Sequence, residues 1–218
     1  MESKKLEFIY VYDALCGWCY GFSPVVKEIY TQRQDIFNFE VLSGGMMLGD
    51  REGAIGEVAP YIKQGYKTVE DTCGVKFGEQ FLTILDEGTQ YFSSEKPAIA
   101  LSVFKSYLPE QSVLFAHTLQ SAIYDLGLDL NQLETYSALA DQYQLPATAF
   151  IAKMESEEFK QAAYYDFALA RQLQVSGYPA AFIKTGENKF HMIAKGYTDL
   201  ETMQLRIDNV LKEINYLF

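Results

Sequence analysis

Leu6-Glu7-Phe8-Ile9-Tyr10-Val11-Tyr12 is a dense apolar and aromatic run that stops at Asp13. Such a run predicts a strand buried on both faces, not one with a wet side. Behind it, Phe22, Val25, Val26, Ile29 and Tyr30 recur at steps of three and four, the spacing of a helix. Pro24 falls inside that stripe and is expected to kink it. From Phe37 the period drops to two, with Phe37, Phe39 and Val41 on one face, and Gly44-Gly45 ends the run. Strand, helix, strand is the opening of an α/β unit.

From about Asp50 to about Lys160 the spacing is helical almost throughout, and no strand is predicted. Ile62, Tyr66 and Val69 form one stripe, closed by Gly74. Ser94 and Pro97 ahead of Ala100, Val103, Phe104 and Tyr107 read as a helix with a serine cap and a proline in its first turn. Val113, Leu114, His117, Leu119 and Ile123 carry another helix to Gly127. Asn131 with Glu134 has capping-box spacing for a helix through Leu139 to Tyr143.

Phe159 to Leu173 is a further helix, and Val175-Ser176-Gly177-Tyr178-Pro179 breaks it. Ala180 to Lys184, a turn at Thr185-Gly186-Glu187-Asn188, and Lys189 to Ala194 predict a hairpin. Thr198 with Glu201 is a second capping box, opening a helix striped by Leu200, Met203, Ile207, Val210, Leu211 and Ile214. The sheet must therefore be assembled from both chain ends. Residues 1–49 and 161–218 form two parts of one core, with residues 50–160 as an inserted helical block.

At about 150 residues per domain, a chain of 218 is one domain or one domain with a large insertion. A hydrophobic content of 49% rules out disorder and low complexity. Lys and Arg number 18 against 29 Asp and Glu, and the net charge of −11 has the wrong sign for capturing nucleic acid or anionic lipid. No stretch approaches the roughly 18 apolar residues of a membrane helix. The apolar run behind the charged start, Met1 to Lys5, ends at Asp13, too early for a signal-peptide core, so a cytoplasmic setting is expected. In a reducing compartment the closely spaced Cys16 and Cys19 mean redox chemistry or metal more often than a structural disulfide.

Cys16-Gly17-Trp18-Cys19 falls where a strand hands over to a helix. Unpaired N–H groups and about half a positive charge from the macrodipole favour a thiolate there. The two-residue spacer lets one sulfur attack a substrate disulfide and the other displace it. Cys16, nearer the helix end, is the candidate attacker and Cys19 the candidate resolving thiol. A zinc site shares the spacing but needs two more ligands from Cys73, His117 or His191, which the sequence does not gather. Two buried structural thiols are the plainest alternative. Cys73 reads as a small buried residue at a helix end, and both histidines read as structural. Trp18, the one tryptophan, reads as a partly exposed contact surface.

Leu15-Cys16-Gly17-Trp18-Cys19-Tyr20-Gly21-Phe22-Ser23-Pro24, an inserted helical block and a late Gly177-Tyr178-Pro179 together resemble the DsbA-like thioredoxin-fold family. Within it, the cytoplasmic FrnE-like branch is most similar. Gly44-Gly45, Ser94-Glu95-Lys96-Pro97 and Gln120-Ser121-Ala122 before Asp125-Leu126-Gly127 keep the order of that branch. The resemblance implies an α/β thioredoxin fold with a large all-helical insertion, and protein-disulfide oxidoreductase activity with Cys16 and Cys19 as the catalytic pair. It also implies a cis bond before Pro179 in a loop packed on the C-x-x-C, with Tyr178 offering backbone groups to a substrate. Trp18, Tyr178 and Pro179 are thus the candidate substrate-binding residues.

Two positions depart from the pattern. Where many thioredoxin-fold enzymes keep a buried acid six residues before the first cysteine, this chain has Tyr10, with Asp13 as a possible substitute. The spacer Gly17-Trp18 has no histidine, which argues against either extreme of redox potential. No metal and no cofactor are expected beyond the dithiol itself, with glutathione as a candidate co-substrate. The expected partners are a disulfide-containing protein, peptide or small molecule and a thiol redox partner, with no nucleic acid and no membrane. Two other readings stay open: a glutathione-dependent isomerase or transferase of the same architecture, which typically has serine in place of Cys16, and a redox-gated chaperone or binding module.

Overall fold

The computed structural model describes residues 5–216. The reading of the charged start therefore lies outside the described residues for 1–4. Strand β1 (Leu6–Tyr12), helix α1 (Gly17–Arg33) and strand β2 (Phe37–Ser43) open the chain. Helix α1 continues through Pro24 as one element. Next come a two-residue strand β3 (Gly53–Ala54), α2 (Ala59–Cys73), α3 (Glu79–Glu87) and a second two-residue strand, β4 (Tyr91–Phe92). Helices α4 (Glu95–Lys105), α5 (Ser112–Tyr124), α6 (Leu133–Gln142), α7 (Ala147–Met154) and α8 (Glu157–Gln172) follow. Strands β5 (Ala180–Gly186) and β6 (Lys189–Lys195) and helix α9 (Leu200–Glu213) end the chain.

The main sheet has the order β2-β1-β5-β6. β1 runs parallel to β2, from Leu6 opposite Phe37 to Tyr12 opposite Ser43. It runs antiparallel to β5, with Glu7 opposite Lys184 and Val11 opposite Ala180, and β5 and β6 form the hairpin. Sequence from both ends thus meets side by side at β1. The continuous apolar run of β1 has a direct cause: its two faces fill two different cores. Phe8, Tyr10 and Tyr12 point into the large core with α1, whereas Ile9 and Val11 pack with Leu42, Phe182 and Ala170 of α8.

Along the chain, the helical insertion lies between β2 and β5, and its centre is α4. Every residue from Pro97 to Phe104 is buried, and the Phe104 ring stacks on Phe115 of α5 at 4.1 Å between centroids. The insertion carries one feature that helical spacing does not reveal. Gly53–Ala54 and Tyr91–Phe92 pair antiparallel, a bridge too short to produce a period of two.

Three expected caps are built differently. Ser94 does occupy the N-cap of α4, but its Oγ donates to Asp13 Oδ1 at 2.9 Å and accepts from Met47 N–H at 3.0 Å. A buried carboxylate is the stronger acceptor, and Ser93 Oγ accepts from Glu95 N–H instead. Asn131 makes no capping box: the N-cap of α6 is Gln132, and the Asn131 amide is drawn to Tyr91 O and Asp129 Oδ1. The last helix is capped by Asp199 and not by Thr198, with Asp199 Oδ1 accepting from Thr202 N–H at 2.9 Å. Among the described residues no helix is long and apolar enough to cross a membrane.

The Asp199 cap has a pH signature. Its bond to Thr202 N–H holds the carboxyl below the ordinary aspartate value. A depressed folded-state pKa means that the stabilisation is present above the unfolded value of about 3.9 and is lost as pH falls through the folded one. Asp199→Ala should therefore lower the urea midpoint at pH 7 and converge with the parent chain in strong acid. Glu201→Ala should leave the midpoint near the parent's at both.

Candidate active site

The turn after β1 is short because Asp13 folds it back on itself. Asp13 Oδ1 accepts from Leu15 N–H at 3.0 Å, and its carbonyl accepts from Cys16 N–H at 3.1 Å. Cys16 is then the N-cap of α1 in extended backbone, and its Sγ accepts from Cys19 N–H at 3.2 Å. A sulfur thus stands where a serine or aspartate oxygen usually sits, facing the free amides and positive end of the helix. Cys16 and Cys19 are both free thiols. Solvent reaches 7% of Cys16 and none of Cys19. Burial, reinforced by the neighbouring Cys16 sulfur, pushes the Cys19 thiol well above the ordinary cysteine value.

From the far end of the chain, the loop before β5 closes over this sulfur. The Tyr178–Pro179 peptide bond is cis, and the Tyr178 carbonyl oxygen lies 3.7 Å from Cys16 Sγ. The loop is held by its own tyrosine. The Tyr178 hydroxyl donates to Gly44 O at 2.7 Å, and the ring lies so close to Gly44 that a Cβ there would fall 2.2 Å from ring carbons. Gly44 N–H in turn donates to Tyr12 O at 2.7 Å, so the end of β2 and the late loop are fastened to the end of β1. Burial pushes the Tyr178 phenol up to about 12, which keeps it a hydrogen donor at neutral pH.

Asp13 is 1% exposed and takes part in no ion pair among the described residues. Besides Leu15 N–H and Ser94 Oγ, it accepts from Met46 N–H at 2.7 Å. Burial raises its pKa, and the Met46 and Leu15 amides pull it back. Tyr10, in the position of the missing acid, is fully enclosed, and its hydroxyl finds no hydrogen-bond partner among the described residues. The sequence marks Asp13 as a possible substitute for the missing acid, but no local spacing reveals its partners Met46 and Ser94. The Gly44-Gly45 pair was the one available signal that the chain turns sharply beside it.

Cys73, His117 and His191 are not gathered at the dithiol. Cys73 Sγ packs against Gly21, and burial pushes its thiol up to about 11. His117 Nδ1 lies 2.6 Å from Ser23 Oγ, and burial lowers its pKa to about 4, which leaves it neutral at pH 7. His191 pairs with Thr185 Oγ1. Among the described residues, no three His, Cys, Asp or Glu side chains are clustered so as to hold a metal. Beside Cys16 opens a pocket of about 470 Å³, walled by Trp18, Met46, Ile62, Tyr66, Phe77 and Tyr178. Trp18 lies at its wall, partly exposed.

No protein-family profile matches the sequence, and no curated protein matches it either. Solved structures do. A candidate protein disulfide isomerase from Nitrosomonas europaea superposes with a TM-score of 0.82 at 23% identity, covering 96% of this chain and 99% of its own. The chain has a thioredoxin-like fold. The cytosolic disulfide reductase DsbM from Pseudomonas aeruginosa gives 0.79 at 19% identity, covering 95% of this chain and 99% of its own. The same reductase with GSH gives 0.76 at 20% identity, covering 95% and 100%. The likeness spans the whole thioredoxin-like architecture, helical insertion included.

Cys16 Sγ faces the amides at the N-terminus of α1, whereas burial raises the pKa of Cys73 and of the fully enclosed Cys19. In a pH 7 iodoacetamide time course read by mass spectrometry, Cys16 should be alkylated well before Cys73, and Cys19 last. Gly44→Ala should displace the Tyr178 ring and lower stability by about 1–3 kcal/mol in urea denaturation, the usual cost of overpacking a close contact.

Proposed function

We propose that the chain is a thiol-disulfide oxidoreductase of the DsbA-like kind, in the FrnE-like branch, with Cys16 as nucleophile and Cys19 as resolving thiol. The observation that carries this reading is the placement of Cys16 Sγ at the N-terminus of α1, accepting from Cys19 N–H and facing the Tyr178 carbonyl. The Cys16 thiolate attacks one sulfur of a substrate disulfide, and the other sulfur leaves as a thiolate. Cys19 then loses its proton to solvent and attacks Cys16 Sγ, releasing the second substrate thiolate and leaving a Cys16–Cys19 disulfide. Charge on Cys16 is one cause of the high pKa of Cys19. Conversion of Cys16 to a neutral mixed disulfide removes that repulsion, so resolution becomes easier once a substrate is attached.

Tyr178 and Pro179 would present the loop backbone to the substrate, and Trp18 would form a contact surface beside the sulfur. DsbM from Pseudomonas aeruginosa, described as cytosolic and solved with GSH, supports a cytoplasmic setting and glutathione as a thiol co-substrate. A disulfide-bearing substrate and a thiol redox partner complete the cycle.

The division of labour predicts unequal trapping. Cys19→Ser should accumulate mixed disulfides that vanish on reduction, whereas Cys16→Ser should accumulate almost none. An affinity-tagged, acid-quenched preparation run on non-reducing gels reads both. If both variants give the adduct-free pattern of the parent chain, and the parent binds clients equally well oxidised and reduced, the oxidoreductase reading falls to that of a binding module.

A further inference from the structure

The pocket beside Cys16 contains one fixed charge. Among the described residues that line it, only Arg51, itself exposed, has a basic or acidic side chain, and the other walls are mostly aliphatic, aromatic or glycine. Arg51 sits on a single turn, Gly49–Arg51, just beyond the Gly44-Gly45 corner. One of its nitrogens, Nη2, donates to Gly45 O at 3.1 Å. Although the chain has 29 acidic residues to 18 basic ones, no carboxylate among the described residues lies within ion-pairing distance of Arg51. A guanidinium has five N–H donors in a planar fork suited to a carboxylate, and a single carbonyl leaves most of them for a ligand.

The α2 side of the lining includes a glycine. Gly65 lies in the middle of α2, where glycine weakens a helix, and a Cβ built there meets nothing within 4 Å. Tyr61, 76% exposed, stands one turn earlier on the same wall, at the pocket rim. The volume of about 470 Å³ is that of a small-molecule site. A folded protein's cystine reaching Cys16 would need neither a cavity of this volume nor a cation in its mostly apolar lining.

We propose that the substrate is a small disulfide with a flat apolar arm and a carboxylate. Arg51 binds the carboxylate and the space beside Gly65 accommodates the arm. This rests on the oxidoreductase function above and specifies its substrate. The balance is that of the dithiol: Cys16 and Cys19 lose two protons to solvent and two electrons to the substrate S–S bond. The substrate's two halves leave as thiolates, and a disulfide joins the two cysteines.

Single-turnover oxidation of the full-length dithiol protein tests this without an added reductant. Three probes at pH 7 separate the terms: dithionitrobenzoate is aromatic and anionic, dithiodipyridine is aromatic and uncharged, and hydroxyethyl disulfide is neither. Acid quench and mass spectrometry read all three reactions. Arg51→Gln should lower the rate ratio of dithionitrobenzoate to dithiodipyridine by about five- to tenfold, as expected for loss of a charge-assisted pair. Gly65→Leu should fill the pocket and lower the ratio of either aromatic probe to hydroxyethyl disulfide by about tenfold, with a urea midpoint at or above the parent's. If Arg51→Gln scales all probes by one factor, or if Gly65→Leu leaves the ratios unchanged, the substrate assignment is wrong and the oxidoreductase reading stands. If the parent dithiol is oxidised by none of the three, the oxidoreductase reading itself fails.

Discussion

A carboxylate with almost no access to water sits where the end of β1, the Met46 loop and the start of α4 meet. Stripping a carboxyl group of solvent is costly, and among the described residues no cation pairs with Asp13 to offset it. The compensation comes from neutral donors: the amides of Leu15 and Met46 and the hydroxyl of Ser94. Each donor belongs to a different part of the architecture. Leu15 precedes Cys16, Met46 forms pocket wall, and Ser94 is the N-cap of the central helix of the insertion. The main-chain carbonyl of the same residue receives Cys16 N–H and the Gln120 side-chain amide. One residue therefore fixes the register between the sulfur, the wall beside it and the helices that enclose it.

A second set of contacts depends on small residues. Gly44 accepts the face of Tyr178, and Gly21 lets α2 approach α1 until a Cβ at Gly21 would lie 2.6 Å from Cys73 Sγ. The first approach sets where the late loop stands over Cys16. The second draws the α2 wall, with Ile62 and Tyr66, against the helix that carries the dithiol. Cys73 is thus explained by steric fit: a larger side chain at the end of α2 would push that wall away.

Local pattern made much of this legible. The unbroken apolar run of β1, the stripe of α1, the alternation in β2 and the terminal hairpin all follow from short-range spacing, and Cys16-Gly17-Trp18-Cys19 fell where a strand meets a helix. Resemblance supplied what spacing lacks, namely that Tyr178 and Pro179 stand over the dithiol. The parts that were not legible share a cause. Ser94 has the sequence look of a cap, yet its hydroxyl serves a carboxylate 81 residues away. Asn131 has capping-box spacing, yet its amide reaches Tyr91, 40 residues back. Arg51 is exposed and looks like any surface arginine until folding places it among the residues that line the pocket beside Cys16. Competition among distant partners decided each case, and no local period encodes it. At Thr198-Asp199 the miss was smaller: two adjacent side chains can both cap, and the stronger acceptor took the position.

The separation of Cys16 from Tyr178 along the chain, 162 residues, has a consequence for the order in which the molecule is made. Translation delivers Cys16 ahead of the tyrosine that faces it by 162 residues. At about 5–20 residues per second, on the order of ten to thirty seconds elapse between them. Through that interval β1 lacks its central antiparallel neighbour β5, and the young thiol has no carbonyl opposite it. The ribosome therefore releases the components of the site in an order that withholds the finished centre until the sheet can close. A chain stalled before β5 carries the cysteines but not the loop that faces Cys16.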